Sequence, residues 1–80
     1  MLERLKELDK FEYISVNHGD PDHYNFGWKN GLHFYLDDYH YNDEFESQYI
    51  LVVWLDKKMI FNSDFREKEP LIEKIKEILK

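Results

Sequence analysis

Eighty residues, 42% of them hydrophobic and 18% aromatic, with a formal net charge of −6, describe one small domain (residues 1–80) that has apolar material enough for a core. A chain of this length buries only roughly 60% of the surface that its unfolded form exposes, which leaves little room for an internal active-site cavity. Having no cysteine excludes a disulfide framework, a thiolate nucleophile and zinc–thiolate or iron–sulfur sites, and fits a reducing cytoplasm. No stretch approaches the ~18 apolar residues of a membrane span, and the charged N-terminus lacks the apolar centre of a signal peptide.

Leu2, Leu5 and Leu8 recur at helical spacing among charged residues, which predicts a first helix running through about Lys10. Residues 11–17 alternate and are rich in β-branched and aromatic side chains, so they read as a strand, ended by the turn residues His18 to Asp22. Two further strands, His23 to Lys29 and Leu32 to Asp37, flank Asn30-Gly31, a pair suited to the two positive φ values of a two-residue type I′ turn. With that loop, Trp28 pairs with His33, Phe26 with Tyr35 and Tyr24 with Asp37. One face then carries Leu32, Phe34 and Leu36. The other becomes an aromatic wall of Tyr24, Phe26, Trp28 and Tyr35 with His33 and Asp37 at its edge. Such a wall is a contact surface if the helices cover the leucine face, and core if they do not.

Tyr49 to Leu55 is apolar at every position, which predicts a central strand covered on both faces. Asp56 to Lys58 connects it to a fifth strand at Met59 to Phe61, ended by Asn62 to Asp64. Pro70 suits a first helical turn, and Leu71, Ile72, Ile75, Ile78 and Leu79 form the apolar stripe of a C-terminal helix. The expected fold class is therefore α+β. It has an N-terminal helix, a four- to five-stranded antiparallel β-meander and a C-terminal helix, with both helices packed on one face of the sheet.

Charge is sorted along the chain. Between Phe11 and Asp56 stand nine carboxylates and one base, Lys29, so this middle carries −8 while the flanks are neutral or positive. The same middle holds every histidine, tyrosine and tryptophan. The densest part, residues 37–46, offers Asp37, Asp38, Asp43, Glu44 and Glu46 beside Tyr39, Tyr41 and Phe45, with no base. If extended, it sets Asp38, Glu44 and Glu46 along one side, a spaced row of negative charge able to stand in for nucleic-acid phosphates. The plainer reading is a solvated loop whose carboxylates confer solubility.

Other chemistry is thinly represented. His18, Asp20, Asp22 and His23 are acceptable metal-ligand types, but their spacing matches no metal signature and Gly19-Asp20-Pro21-Asp22 equally describes a tight turn. Ser15, Ser47 and Ser63 lie in no nucleophile elbow, no glycine-rich phosphate loop occurs, and Asp37 and Asp38, as adjacent strand residues, point to opposite faces. No cofactor and no enzymatic activity are expected.

In size, acidity and aromatic content the chain resembles small phage-type inhibitors that mimic nucleic acid, such as uracil-DNA glycosylase inhibitors and anti-CRISPR proteins. That resemblance is compositional and transfers no residue. It implies a cytoplasmic, non-enzymatic inhibitor that occupies a basic, nucleic-acid-binding site of a partner protein, without itself binding nucleic acid or membrane. Asp37, Asp38, Asp43, Glu44 and Glu46 would steer the encounter, and Trp28, Tyr35, Tyr39 and Tyr41 would hold the complex. The alternatives are an immunity or antitoxin protein capping a toxin enzyme, a small-ligand or metal-binding domain, and a self-associating structural subunit, with homodimerisation left open.

Overall fold

The computed structural model describes residues 1–19, 21–28, 31–39 and 48–80, and for Trp28 the backbone alone. Helix α1 (Leu2–Leu8) precedes strands β1 (Tyr13–Asn17), β2 (Asp22–Trp28), β3 (Leu32–Asp38), β4 (Tyr49–Leu55) and β5 (Lys58–Phe65), and helix α2 (Lys68–Leu79) follows. The strands form one antiparallel sheet in the order β1-β2-β3-β4-β5, so each pairs only with its neighbours in sequence. This is the expected α+β arrangement, with five strands. Among the described residues, no helix is long and apolar enough to cross a membrane.

The two tight turns exchange the roles that their sequences suggest. Asn30-Gly31 does not close a two-residue loop. Trp28 pairs with Leu32, so residues 29–31 form a three-residue connection, and Gly31 takes the positive φ, +82°, within it. The two-residue loop with two positive φ values lies instead at Asp56 (φ +50°) and Lys57 (φ +69°), between the paired residues Leu55 and Lys58. The longer β2–β3 loop shifts the expected register by one residue, and one residue moves every side chain of a strand to the opposite face. The observed pairs are Phe26 with Phe34, Tyr24 with Leu36, Asn25 with Tyr35 and His23 with Asp37. The expected aromatic wall is thereby divided. Tyr24 and Phe26 join Phe34 and Leu36 on the face beneath the helices, while His33, Tyr35 and Asp37 lie on the other.

The covered face is the core. Tyr24, Phe26, Phe34, Leu36, Tyr49, Leu51 and Val53 from the sheet pack with Leu5 of α1 and with Leu71 and Ile75 of α2. Phe26 and Phe34 stack with ring centroids 4.8 Å apart, and Phe11 meets Phe26 edge-on at 5.0 Å. Phe11 was expected to begin the first strand. It precedes β1 instead, its ring closing the core from the side. An Arg4–Glu69 ion pair, 2.7 Å, joins the two helices across their exposed side, and the Lys74 ammonium sits 5.3 Å from the centre of the Phe61 ring, linking α2 to β5. Val53 pairs with Phe61 and Trp54 with Met59, so Ile60 is the extra residue of a β-bulge in the edge strand.

Strand β4 corrects the expectation of a strand buried on both sides. Tyr49, Leu51 and Val53 are buried beneath the helices, but Ile50, Val52 and Trp54 on the opposite face are only half-buried. Its unbroken apolar run serves the core on one side and an uncovered surface on the other.

Candidate functional site on the open sheet face

No described element packs over the second face of the sheet, and the register lays its residues out in three rows across all five strands. Tyr13, Gly27, His33, Trp54 and Met59 form the first row, at the end where the 29–31 and 56–57 turns lie. Ser15, Asn25, Tyr35, Val52 and Asn62 form the second. The third is Asn17, His23, Asp37, Ile50 and Asp64, at the end where the 39–48 connection leaves the sheet. The face therefore grades from rings and thioether at one end to carboxylates and imidazole at the other.

The ring row is held together from side to side. The Tyr13 hydroxyl hydrogen-bonds His33 Nδ1, and the His33 and Trp54 rings lie 5.6 Å apart at 52°. To reach His33 from β1, the Tyr13 ring must cross β2, and it crosses at Gly27, where an added Cβ would overlap the ring. Within this row Met59 (54% exposed) and Tyr13 (44%) remain open to solvent, as does the bulge residue Ile60 (48%) beside it.

The acidic row carries a second network. The Asp37 carboxylate accepts a 2.6 Å hydrogen bond from His23 Nδ1, and the Tyr35 hydroxyl oxygen lies 2.7 Å from the same nitrogen. A carboxylate only accepts, which fixes the proton on His23 Nδ1. The His23 and Tyr35 rings stack at 5.8 Å. Burial, followed by the hydrogen bond to Asp37 and its charge, pushes the Tyr35 phenol up to about 12. A phenol so shifted is a poorer acid than an unperturbed tyrosine, and the network orders these three side chains.

The residues singled out in the sequence are distributed unevenly. Tyr35 and Asp37 lie on the open face as a hydrogen-bonded pair, and Tyr39 is half-buried at the base of the acidic connection, its N–H donating to the Gln48 carbonyl at 2.8 Å. Asp38 is a correction. It faces the core side at 4% exposure because strand alternation turns it away from Asp37, so it cannot belong to an exposed acidic row. It shares a cleft of about 260 Å³ with Tyr24, Tyr49 and Lys68. Burial first, and then the Asp38 charge, raise both of these phenols above their usual value. Trp28 takes the register position opposite Leu32, not His33. Tyr41, Asp43, Glu44 and Glu46 lie outside the described residues.

The candidate metal ligands are separated. His23 turns to Asp37, whereas Asp22, one residue earlier, accepts the Gly19 N–H at 3.1 Å and lies 3.5 Å from His18 Nδ1, a turn-closing role. Asp20 lies outside the described residues. Among those described, no group of three or more histidines and carboxylates could hold a metal ion. What the sequence reading missed is the ring row as a unit, with Tyr13, Trp54 and Met59 beside His33 on one open face.

Fold and site together define an α+β meander domain with one sheet face packed by helices and one left open, lined with aromatic side chains and bordered by acid. No family model matches the chain, no curated protein matches it, and no solved structure matches it.

Proposed function

We propose that this domain is a non-enzymatic interaction module that applies its open sheet face, together with the acidic 37–46 segment, to a basic surface of another protein. The observation carrying this reading is the polarised face itself, with Tyr13, Met59 and the neighbouring Ile60 at 44–54% exposure at the ring end and the carboxylates Asp37 and Asp64 at the other. Rigid aromatic groups supply contact area at little entropic cost, while the acid steers a cationic partner and selects against anionic ones. The 39–48 connection leaves the sheet beside Asp37 and Asp64, and its sequence carries three further carboxylates, Asp43, Glu44 and Glu46.

A partner surface complementary to this face is basic with apolar grooves, the description of a nucleic-acid-binding site. The module would inhibit such a protein by occupancy, its carboxylates standing where phosphates would lie. The tightness of the hydrogen bonding around Tyr35, His23 and Asp37 favours a preformed surface over one assembled on binding.

The test is capture of partners on the immobilised domain, release by a salt step, and affinity measurement with the purified partner. Affinity should fall with ionic strength, and joint reversal of Asp43, Glu44 and Glu46 to lysine should lower it at least tenfold in a domain that still melts cooperatively. A partner that binds the reversed variant equally well overturns the proposal.

A further inference from the structure

Beside the ring row lies a concavity of about 400 Å³ lined by Gly31, His33, Trp54, Asp56 and Lys57. Resting on the interaction reading above, we propose that this concavity is a seat for an arginine side chain of the partner, its guanidinium stacked on Trp54 and paired with the Asp56 carboxylate.

The floor is aromatic and prearranged. Trp54 is half-buried and fixed in the sheet, and His33 beside it is held by the Tyr13 hydroxyl. The wall is a carboxylate whose position is set by the backbone. Asp56 opens the two-residue turn in the left-handed region and its N–H donates to the Gly31 carbonyl at 3.2 Å, which ties the two hairpin ends together. Its carboxylate lies against the Gly31 α-carbon, where any Cβ would collide with it. Among the described residues, Asp56 takes part in no ion pair. An aromatic face with a fixed carboxylate at its rim is cation-selective, and it suits a guanidinium better than an ammonium. The guanidinium is planar, more weakly hydrated, and able to stack and to bond a carboxylate through two N–H groups together. Met59, exposed and paired with Trp54 across the β4–β5 ladder, can take the aliphatic stem. Lys57 stands at the rim as the one opposing charge among the lining residues.

The experiment is titration of the full chain, followed through the Trp54 indole N–H resonance, with three capped tripeptides: acetyl-Gly-Arg-Gly-amide, its lysine analogue and its citrulline analogue. The arginine peptide should shift that resonance saturably and bind roughly twofold to fivefold more tightly than the lysine peptide, the scale of an exposed cation–π contact. The citrulline peptide, equal in shape but uncharged, should bind worst. Asp56→Asn, which suits the same turn conformation, should weaken arginine binding severalfold, and Lys57→Gln should strengthen it. Equal binding of arginine and citrulline, or indifference to both substitutions, overturns the seat. The two proposals fail separately. A captured partner indifferent to Asp56→Asn and Trp54→Leu removes the seat and leaves the docking face. Selective arginine binding with no charge-dependent partner does the reverse.

Discussion

The two faces of this sheet are made by adjacent residues of the same strands, yet they are held by different physics. Under the helices, Phe26, Phe34, Leu36, Leu51 and Val53 reach zero exposure and their positions follow from packing. On the other side, Tyr35, His23 and Asp37 are positioned by hydrogen bonds to one another, as Tyr13 is by His33, with water close by. Period-two alternation lets one stretch of chain write both surfaces at once, a core that needs volume and an open face whose side chains are held in fixed directions. The difference teaches that the open face can be altered with little harm to the fold.

The strongest way to break the comparison is at neighbouring residues of β3. Phe34→Ala should cost about 3–5 kcal/mol, a large part of the roughly 4–12 kcal/mol total for a domain of this length, whereas Tyr35→Ala should cost only about 1 kcal/mol. Urea denaturation of the two variants decides it, and equal losses would mean that the open face is part of the core. A finer test uses two valines. Val53→Thr buries a hydroxyl beneath the helices and should cost about 1–3 kcal/mol, while Val52→Thr on the open face should stay within about 0.5 kcal/mol of the unaltered chain.

The smallest effect is the most selective. Each face sets an aspartate among phenols, Asp37 near Tyr35 on the open side and Asp38 near Tyr24 and Tyr49 on the covered side. Folding raises the Tyr35 phenol from 10 to about 12, so the neutral form is favoured in the native state. The resulting stability is fully present below pH 10 and is lost as pH rises through about 12. Tyrosinate absorbance should show Asp37→Asn advancing ionisation of Tyr35 alone, with burial still holding it above its usual value, and Asp38→Asn advancing Tyr24 and Tyr49. A variant that moves both sets would show that the sheet does not insulate its faces.

Much of the architecture was legible because several signals agreed. Tyr49 to Leu55 is a strand on any pattern, and the apolar stripe after Pro70 has only a helical reading. The faces were misread at a single point, because Asn30-Gly31 suits a two-residue turn so well that it outweighed the alternation beside it. Placing Tyr24 and Phe26 on the same side as Phe34 and Leu36 would have required three loop residues, which is what the structure has. The true two-residue turn, Asp56-Lys57, contains no glycine and gave little local signal. The ring row was hidden for a tertiary reason. Nothing local in an all-apolar strand tells which side a helix will cover, so Trp54 read as core. Gly27 carried no motif, and its role exists only because Tyr13 crosses it in space.

Sequential strand pairing gives the chain an uneven tolerance to change. The β4–β5 connection has two residues, both at positive φ, and the β2–β3 connection three, ending in Gly31 at positive φ, so an insertion in either would rotate a strand face for face. The connection between Asp38 and Tyr49 has ten. Its ends are fixed by the ladder, and lengthening it twofold would cost only about 0.6 kcal/mol in closure entropy. The segment richest in acid is thus also the longest connection between strands, and a lineage of such domains could rewrite its acidic outline while inheriting the same sheet unchanged.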